Sequence, residues 1–188
     1  MNGLINENIN VEIVIANGKK FKKFIDRKRI EAEVDRISEL INNDYHGKKV
    51  LFIVVLKGSI FFASDLLRKI KLDCEIETVR ASSYGNEMKN SELRLCIDNI
   101  EAEGKNILII EDIIETGNTL NELMSKLRTE SPGTLEAITF LSKPEKREFN
   151  IFVKYVGIEI PPEFVIGYGL DYAEQGRHLP DIYVLDEE

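Results

Sequence analysis

The sequence predicts an α/β fold built on a mainly parallel twisted sheet with helices on both faces. Three observations lead there. VLFIVVL (50–56) and ILII (107–110) are continuous apolar runs rich in β-branched residues, the pattern of strands covered on both sides. Apolar stripes at helical spacing lie between and after such runs, Ile30, Val34, Ile37 and Ile41 in one, Leu120, Leu123, Met124 and Leu127 in another. Strand-like and helix-like segments alternate along the chain, as a parallel sheet requires. With 188 residues, 43% apolar and 31% charged, the chain is an ordinary globular protein long enough for a sizeable core. No repeat, linker or low-complexity stretch divides it, so one domain over 1–188 is expected.

Taken in order, residues 26–44 read as a helix, with Asp26 as a cap and His46-Gly47 as a stop. The apolar strand 50–56 is broken by Lys57-Gly58-Ser59, and 59–70 reads as a second helix. CEIET (74–78) alternates apolar and polar residues, as a half-exposed strand does. Residues 82–92 are polar, with Met88 as the one core-sized apolar side chain, and predict a long mobile loop. LRLCI (93–97) resumes strand character, EAEGKN turns the chain, and the 107–110 strand follows. A third helix carries the Leu120–Leu127 stripe and is ended by Ser131-Pro132-Gly133. Further strands are expected at 134–141, 151–157, 164–169 and 182–185.

Charge and composition exclude several roles. Net charge is −8, which disfavours nucleic acid as a partner because phosphate neutralisation needs Lys and Arg. The basic run Lys19, Lys20, Lys22, Lys23, Arg27, Lys28, Arg29 reads instead as a solvated face at a helix start. No apolar run approaches the ~20 residues of a membrane span. The opening MNGLINENIN lacks the pattern of a signal peptide, so the expected compartment is the cytoplasm. Cys74 and Cys96 lie in strand-like segments and form neither a zinc site nor a disulfide framework. They are expected as buried reduced thiols. His46 and His178 belong to no metal-ligand pattern.

The segment ILIIEDIIETGNTL (107–120) concentrates the chemistry. It reads as a buried strand, a polar loop after Ile110, and a helix start. Glu111, Asp112 and Glu115 can hold hydroxyls, a metal ion or a proton. Thr116, Gly117, Asn118 and Thr119 can hold a phosphate, because amides at a helix N-terminus are unpaired and carry partial positive charge. Gly117 allows close approach, and two threonine hydroxyls add donors. The plainer alternatives are that Asn118 or Thr119 merely caps the helix and that the acids are solvated. In open parallel sheets ligands bind at the carboxyl ends of strands, where this loop lies.

This segment resembles the phosphoribosyl-pyrophosphate signature of the type I phosphoribosyltransferases. Leu56-Lys57-Gly58, Ser83-Tyr84, Lys143 after a strand, and FVIGYGLDYAEQGR (164–177) follow in family order and narrow the resemblance to the hypoxanthine-guanine phosphoribosyltransferases, over about residues 20–186. It implies a type I phosphoribosyltransferase core at about 26–160 and a small hood from about 1–25 and 161–188. The implied reaction moves phosphoribose from phosphoribosyl pyrophosphate to N9 of hypoxanthine or guanine, giving IMP or GMP and pyrophosphate, with Mg²⁺ as cofactor. The implied assembly is a homodimer or homotetramer, without nucleic acid or membrane as partner.

Residue by residue, the resemblance implies that Glu115 through Thr119 hold the 5′-phosphate. Glu111 and Asp112 hold the ribose hydroxyls, partly through Mg²⁺. Glu115 is the implied catalytic base at purine N7, close to the other acids, at a position where the family most often has Asp. Lys143 donates to the 6-oxo group, Phe164 stacks on the purine, and the Val165 backbone bonds its edge. Asp171, on the same purine side, is the implied ligand of a second Mg²⁺ at the pyrophosphate, and Arg177 its cationic partner. Lys57 and Gly58 present amides to pyrophosphate, after a peptide bond that can be cis. Ser83 and Tyr84 belong to a lid loop. A nucleotide-sensing regulator on the same fold, or an enzyme for xanthine, are the alternatives.

Overall fold

The computed structural model describes residues 12–84, 92–96 and 100–187. In chain order the strands are β1 (Ile13–Ala16), β2 (Lys19–Ile25), β3 (Val50–Leu56), β4 (Cys74–Tyr84), β5 (Glu92–Cys96), β6 (Asn106–Ile114), β7 (Thr134–Ser142), β8 (Tyr155–Glu159), β9 (Val165–Ile166) and β10 (Ile182–Leu185). The helices are α1 (Arg27–Asp44), α2 (Ile60–Leu67) and α3 (Asn118–Arg128), with one 3-10 turn at Pro144–Lys146.

A six-stranded sheet runs β5-β4-β3-β6-β7-β8. Its five strands from β4 to β8 are parallel, and β5 is an antiparallel edge. Residues of β3 alternate between two cores, as successive side chains on a strand must. Val50, Phe52 and Val54 pack with α1 and α2, through Ile30, Val34, Ile37, Ile41, Phe62 and Leu66. Leu51, Ile53 and Val55 pack with α3, through Leu120, Leu123, Met124 and Leu127. Helices thus cover both faces, as the sequence predicts. Asp26 caps α1 by accepting the Arg29 amide at 2.8 Å, a contact worth about 1 kcal/mol.

A second, antiparallel sheet, β1-β2-β10-β9, joins the two ends of the described chain and forms the hood. Here the basic run departs from its expected helix start: Lys19 to Lys23 lie on β2. The reason is period 2. Phe21 and Ile25 turn inward while Lys20, Lys22 and Phe24 stay exposed.

Three other boundaries move. β6 continues through Glu111, Asp112 and Ile113 to Ile114, so the first two acids lie on a strand rather than in a loop after Ile110. Pairing with β7 extends it: Glu111 lies opposite Thr139 and Ile114 opposite Ser142. β4 runs to Tyr84, placing Ser83 and Tyr84 on a strand end instead of in a loop. Its backbone pairs with β5 at Ser83↔Leu93 and Tyr84↔Glu92, a ladder that polar side chains do not announce. Residues 85–91, the remainder of the expected lid, lie outside the described residues. β8 begins at Tyr155 and not near Ile151, because 147–151 instead brace the loop before α3. Cys74 is a free thiol and half-buried, packed against the core rather than enclosed by it.

Candidate active site

Parallel β3, β6 and β7 end side by side, and the chemistry of the chain gathers there. At the end of β3 the Leu56–Lys57 peptide is cis, in line with the family expectation. Gly58 then passes so close to β6 that a Cβ on it would overlap the Asp112 carboxylate. Across the gap, a Cβ on Gly169 of the hood would overlap the carbonyl of Gly58. Three segments distant in sequence are thus in contact around one glycine.

Glu111 and Asp112 are strand neighbours and face opposite ways. Glu111 is 6% exposed and lines a cavity of ≈ 180 Å³ together with Ile113, Ile114 and Glu115 through Leu120. Burial, and then the charge of Asp112, push its carboxyl well above the usual range. Asp112 faces Gly58, and its carboxyl is pushed up to about 6. Burial is the main cause. Amides of Asp112 and Ile113 and the charge of Arg177 oppose it, and the charge of Asp171 adds to it.

The loop after β6 closes the cavity. Gly117 has φ 88° and precedes α3, whose last turn carries Lys126 and Arg128, as the helix dipole favours, and whose first turn carries no acid to compete with an anion. No side chain of Asn118 or Thr119 caps this helix. The Thr116 hydroxyl accepts the Asn118 amide at 3.2 Å instead. The Thr116 carbonyl accepts the amides of Glu148 and Phe149 at 3.0 and 3.1 Å, which fixes the loop from behind.

Glu115 shares the cavity with Glu111 but takes its partners from the lysines. It pairs with Lys143, and its second oxygen lies 3.6 Å from Lys146. Lys143 is 1% exposed and held by its own amide on the Ile114 carbonyl at 2.9 Å. An ammonium so buried needs a counter-ion, and the longer glutamate side chain supplies one.

The hood contributes the remaining predicted residues. Phe164 is 44% exposed yet packed edge-on against Tyr172 at 5.5 Å and tilted against Phe21 at 6.3 Å, leaving ring surface free. Val165 is buried on β9, opposite Val184. Asp171 bonds Arg177 at 2.7 Å and accepts the Glu174 amide at 2.8 Å. Glu174 in turn bridges Arg177 at 3.3 Å and Lys57 at 2.9 Å. The Lys57 side chain is therefore tied to the hood. Ser83 and Tyr84 emerge at the same end of the sheet, because β4 is parallel to β3.

The family described as "Phosphoribosyl transferase domain" matches residues 22–173. The hypoxanthine phosphoribosyltransferase of Buchnera aphidicola is 39% identical over 165 residues, covering 86% of this chain and 93% of the relative. The hypoxanthine-guanine phosphoribosyltransferase of Staphylococcus aureus is 43% identical over 150 residues, covering 79% and 84%. The chain belongs to the hypoxanthine-guanine phosphoribosyltransferase family. A crystal structure of a family member from Bacillus anthracis superposes with TM-score 0.82 at 38% identity, covering 88% of this chain and 98% of that one.

In this phosphoribosyltransferase, among the described residues, no three His, Cys, Asp or Glu converge into a metal cage. The donor set still suits Mg²⁺, which takes one or two carboxylates and keeps water and phosphate oxygens as its other ligands. Glu111 fits this: its buried carboxylate has no hydrogen bond or ion pair among the described residues. The sequence reading missed Glu174 and the basic pair after Lys143, Lys146 and Arg147. The spacing KPEKR (143–147) was the available signal.

Proposed function

We propose that this chain carries out purine salvage by the residue roles its geometry supports. Phosphoribose passes from phosphoribosyl pyrophosphate to N9 of hypoxanthine or guanine. The C1′–pyrophosphate bond breaks, the C1′–N9 bond forms, and the product is IMP or GMP. Thr116 to Thr119 and the amides opening α3 bind the 5′-phosphate, leaving the ribose beside Glu111 and Asp112. Lys57, Gly58 and Arg177 receive the pyrophosphate. Lys143 has three N–H donors. One stays on Glu115, and another meets the 6-oxo group, which a 6-amino purine cannot satisfy. Glu115 faces N7 and takes up the proton that leaves there as N9 attacks. Phe164 stacks on the base, the Val165 backbone meets its edge, and Ser83 and Tyr84 begin the lid that excludes water.

Glu111 and Asp112 on the ribose side, and Asp171 on the pyrophosphate side, would hold Mg²⁺. Bound there, the ion neutralises phosphate oxygens and eases departure of pyrophosphate. We further read the chain as one domain with a core at about 26–160 and a hood from 1–25 and 161–188, working in the cytoplasm as a dimer or tetramer. Exposed Ile60 and Phe61 at the start of α2 support association.

One observation carries the reading. An unpaired buried acid, an acid-free helix start and a buried lysine paired with a half-exposed glutamate meet at the carboxyl ends of adjacent parallel strands. The test is incubation with phosphoribosyl pyrophosphate, Mg²⁺ and each of hypoxanthine, guanine, xanthine and adenine, following nucleotide formation. IMP and GMP are expected. Absence of product with every base would sink the reading in favour of a nucleotide-sensing protein.

A further inference from the structure

Arg147 has no part in the roles assigned so far, yet its surroundings are unusual for an arginine. It follows the 3-10 turn after Lys143 and is half-buried. One guanidinium nitrogen, Nη2, donates to the Ser142 hydroxyl at 3.0 Å. The other, Nη1, is fully enclosed and has no hydrogen-bond partner. Buried donors in native proteins are almost always satisfied, so an orphan N–H asks for a reason. Arg147 makes no ion pair within the described residues. Glu159 is the one acid whose charge acts on it, while burial works against its charged form.

The enclosed nitrogen lies against the phosphate loop. A Cβ built on Gly117 would stand 3.5 Å from Arg147 Cδ and 3.6 Å from Nη1. Gly117 has no side chain, so one thickness of backbone separates the guanidinium from the cavity lined by Glu115 to Thr119. The same segment is bonded to that loop on either side: Lys143 N to the Ile114 carbonyl, and Glu148 N and Phe149 N to the Thr116 carbonyl. Ser142, the other partner of Arg147, is 3% exposed and adjoins Lys143 in the chain. One rigid cation thus touches both the loop that takes the phosphate and the residue beside the purine lysine.

We propose that Arg147 is a positioning residue for the phosphate loop, backing Gly117 with a fixed positive charge and tying the loop through Ser142 to the Lys143 side of the site. This rests on the phosphate reading of the 115–119 loop. The guanidinium does not touch the substrate. It holds the loop amides in the geometry a phosphate dianion needs, and its charge becomes favourable when that anion arrives. Supporting residues of this kind decide whether a binding constellation is held tightly enough to work.

The test compares the wild-type protein with Arg147→Met, Arg147→Lys and Ser142→Ala, titrated separately with ribose 5-phosphate and with pyrophosphate. Arg147→Met should weaken ribose 5-phosphate roughly tenfold, the scale of one charge-assisted contact, and raise the phosphoribosyl-pyrophosphate KM in parallel. Pyrophosphate affinity and the hypoxanthine KM should stay within about twofold. Arg147→Lys should recover most of the loss, and Ser142→Ala should cost a few-fold on ribose 5-phosphate alone. Unchanged ribose 5-phosphate binding in Arg147→Met overturns the proposal, as does equal weakening of both ligands, which marks a general packing defect. If Arg147→Met does not fold, unchanged ribose 5-phosphate binding in Ser142→Ala overturns it equally. A wild-type protein that binds no ribose 5-phosphate would sink the phosphate reading itself and this proposal with it.

Discussion

Glu111 and Asp112 are adjacent in the chain and face opposite ways, one into the cavity before α3 and the other towards Gly58. Their shared property is that desolvation outweighs the groups favouring their charged forms. For Asp112 the folded carboxyl titrates at about 6, above the ~3.9 of an unfolded aspartate. The native state therefore binds the proton more tightly than the unfolded state does. The stabilisation linked to this group is complete below about pH 4 and is lost as pH rises to about 6. Glu111 shifts in the same direction. Asp112→Asn should thus melt later than the wild type at pH 8, by about 1–2 kcal/mol of stability, with the gap shrinking below pH 6 and closing by about pH 4, and activity falling. A gap that does not shrink with acid would contradict the assignment. Lys143 and Glu115, by contrast, form an ion pair. Lys143→Ala should raise the hypoxanthine KM at least tenfold and the phosphoribosyl-pyrophosphate KM much less. Equal rises in steady-state assays would argue against contact with the 6-oxo group. Glu115→Ala should lower kcat by about 100-fold. It should also cost roughly 3 kcal/mol of stability, because it strands a buried ammonium. Full kcat in that variant would remove Glu115 from the chemistry.

Among elements, the strand-to-loop junctions decide the site, and two glycines show how. Gly58 faces the tip of the Asp112 side chain, while Gly169, at φ 105°, faces the backbone of Gly58. A side-chain tip can swing away and a backbone carbonyl cannot. Gly58→Ala should therefore fold with little loss of stability and lose most of its activity by displacing Asp112. Gly169→Ala should lower the melting temperature markedly, since it adds a left-handed backbone penalty to a backbone clash. Thermal melts beside activity assays separate the two. The reverse order of stability losses would show that the junction is looser than its packing implies. The extension of β6 past Ile110 belongs to the same scale. Pairing with β7 carries the acids to a rigid strand, and strands hold functional groups more accurately than loops do.

For the molecule as a whole, the question is what holds the hood on the core. Asp181, at the start of β10, is 7% exposed. Its carboxylate accepts the Arg27 amide that opens α1 at 2.7 Å, pairs with Lys23 on β2 at 3.1 Å, and accepts the Tyr183 hydroxyl at 3.3 Å. It is thus bonded to the hood sheet and to the first helix of the core at once. Asp181→Ala should destabilise the protein by about 3 kcal/mol, the cost of breaking a buried pair from one side. Purine affinity should fall as well, because Phe164 and Val165 ride on the sheet that Asp181 anchors. Denaturant unfolding measures the first and hypoxanthine KM the second. Loss of neither would leave the hood held by its apolar residues in the main core, Val165, Tyr168, Leu170, Ile182 and Val184.

The sequence by itself determined the parallel core and the identity of its chemistry. Unbroken runs such as 50–56 and helical stripes such as Ile30 to Ile41 are periodic signals that survive without a partner. The acids, the TGNT loop and the FVIGYGLDYAEQGR segment could be matched by residue type and order alone. Tertiary structure decided what depends on pairing across distance. β2 is too rich in lysine to be read as a strand until β1 and β10 pair with it on either side. β4 and β5 share a ladder of backbone groups to which polar side chains such as Ser82 and Ser83 give no clue. Glu115 meets lysines rather than acids because β7 delivers Lys143 beside it. Arg147 acquires a neighbour in Gly117 only when residues 147–149 fold back on the phosphate loop. Local propensity and periodicity are written residue by residue, whereas hydrogen-bond ladders and buried charges take their partners from elsewhere in the chain, and the fold alone brings those partners together.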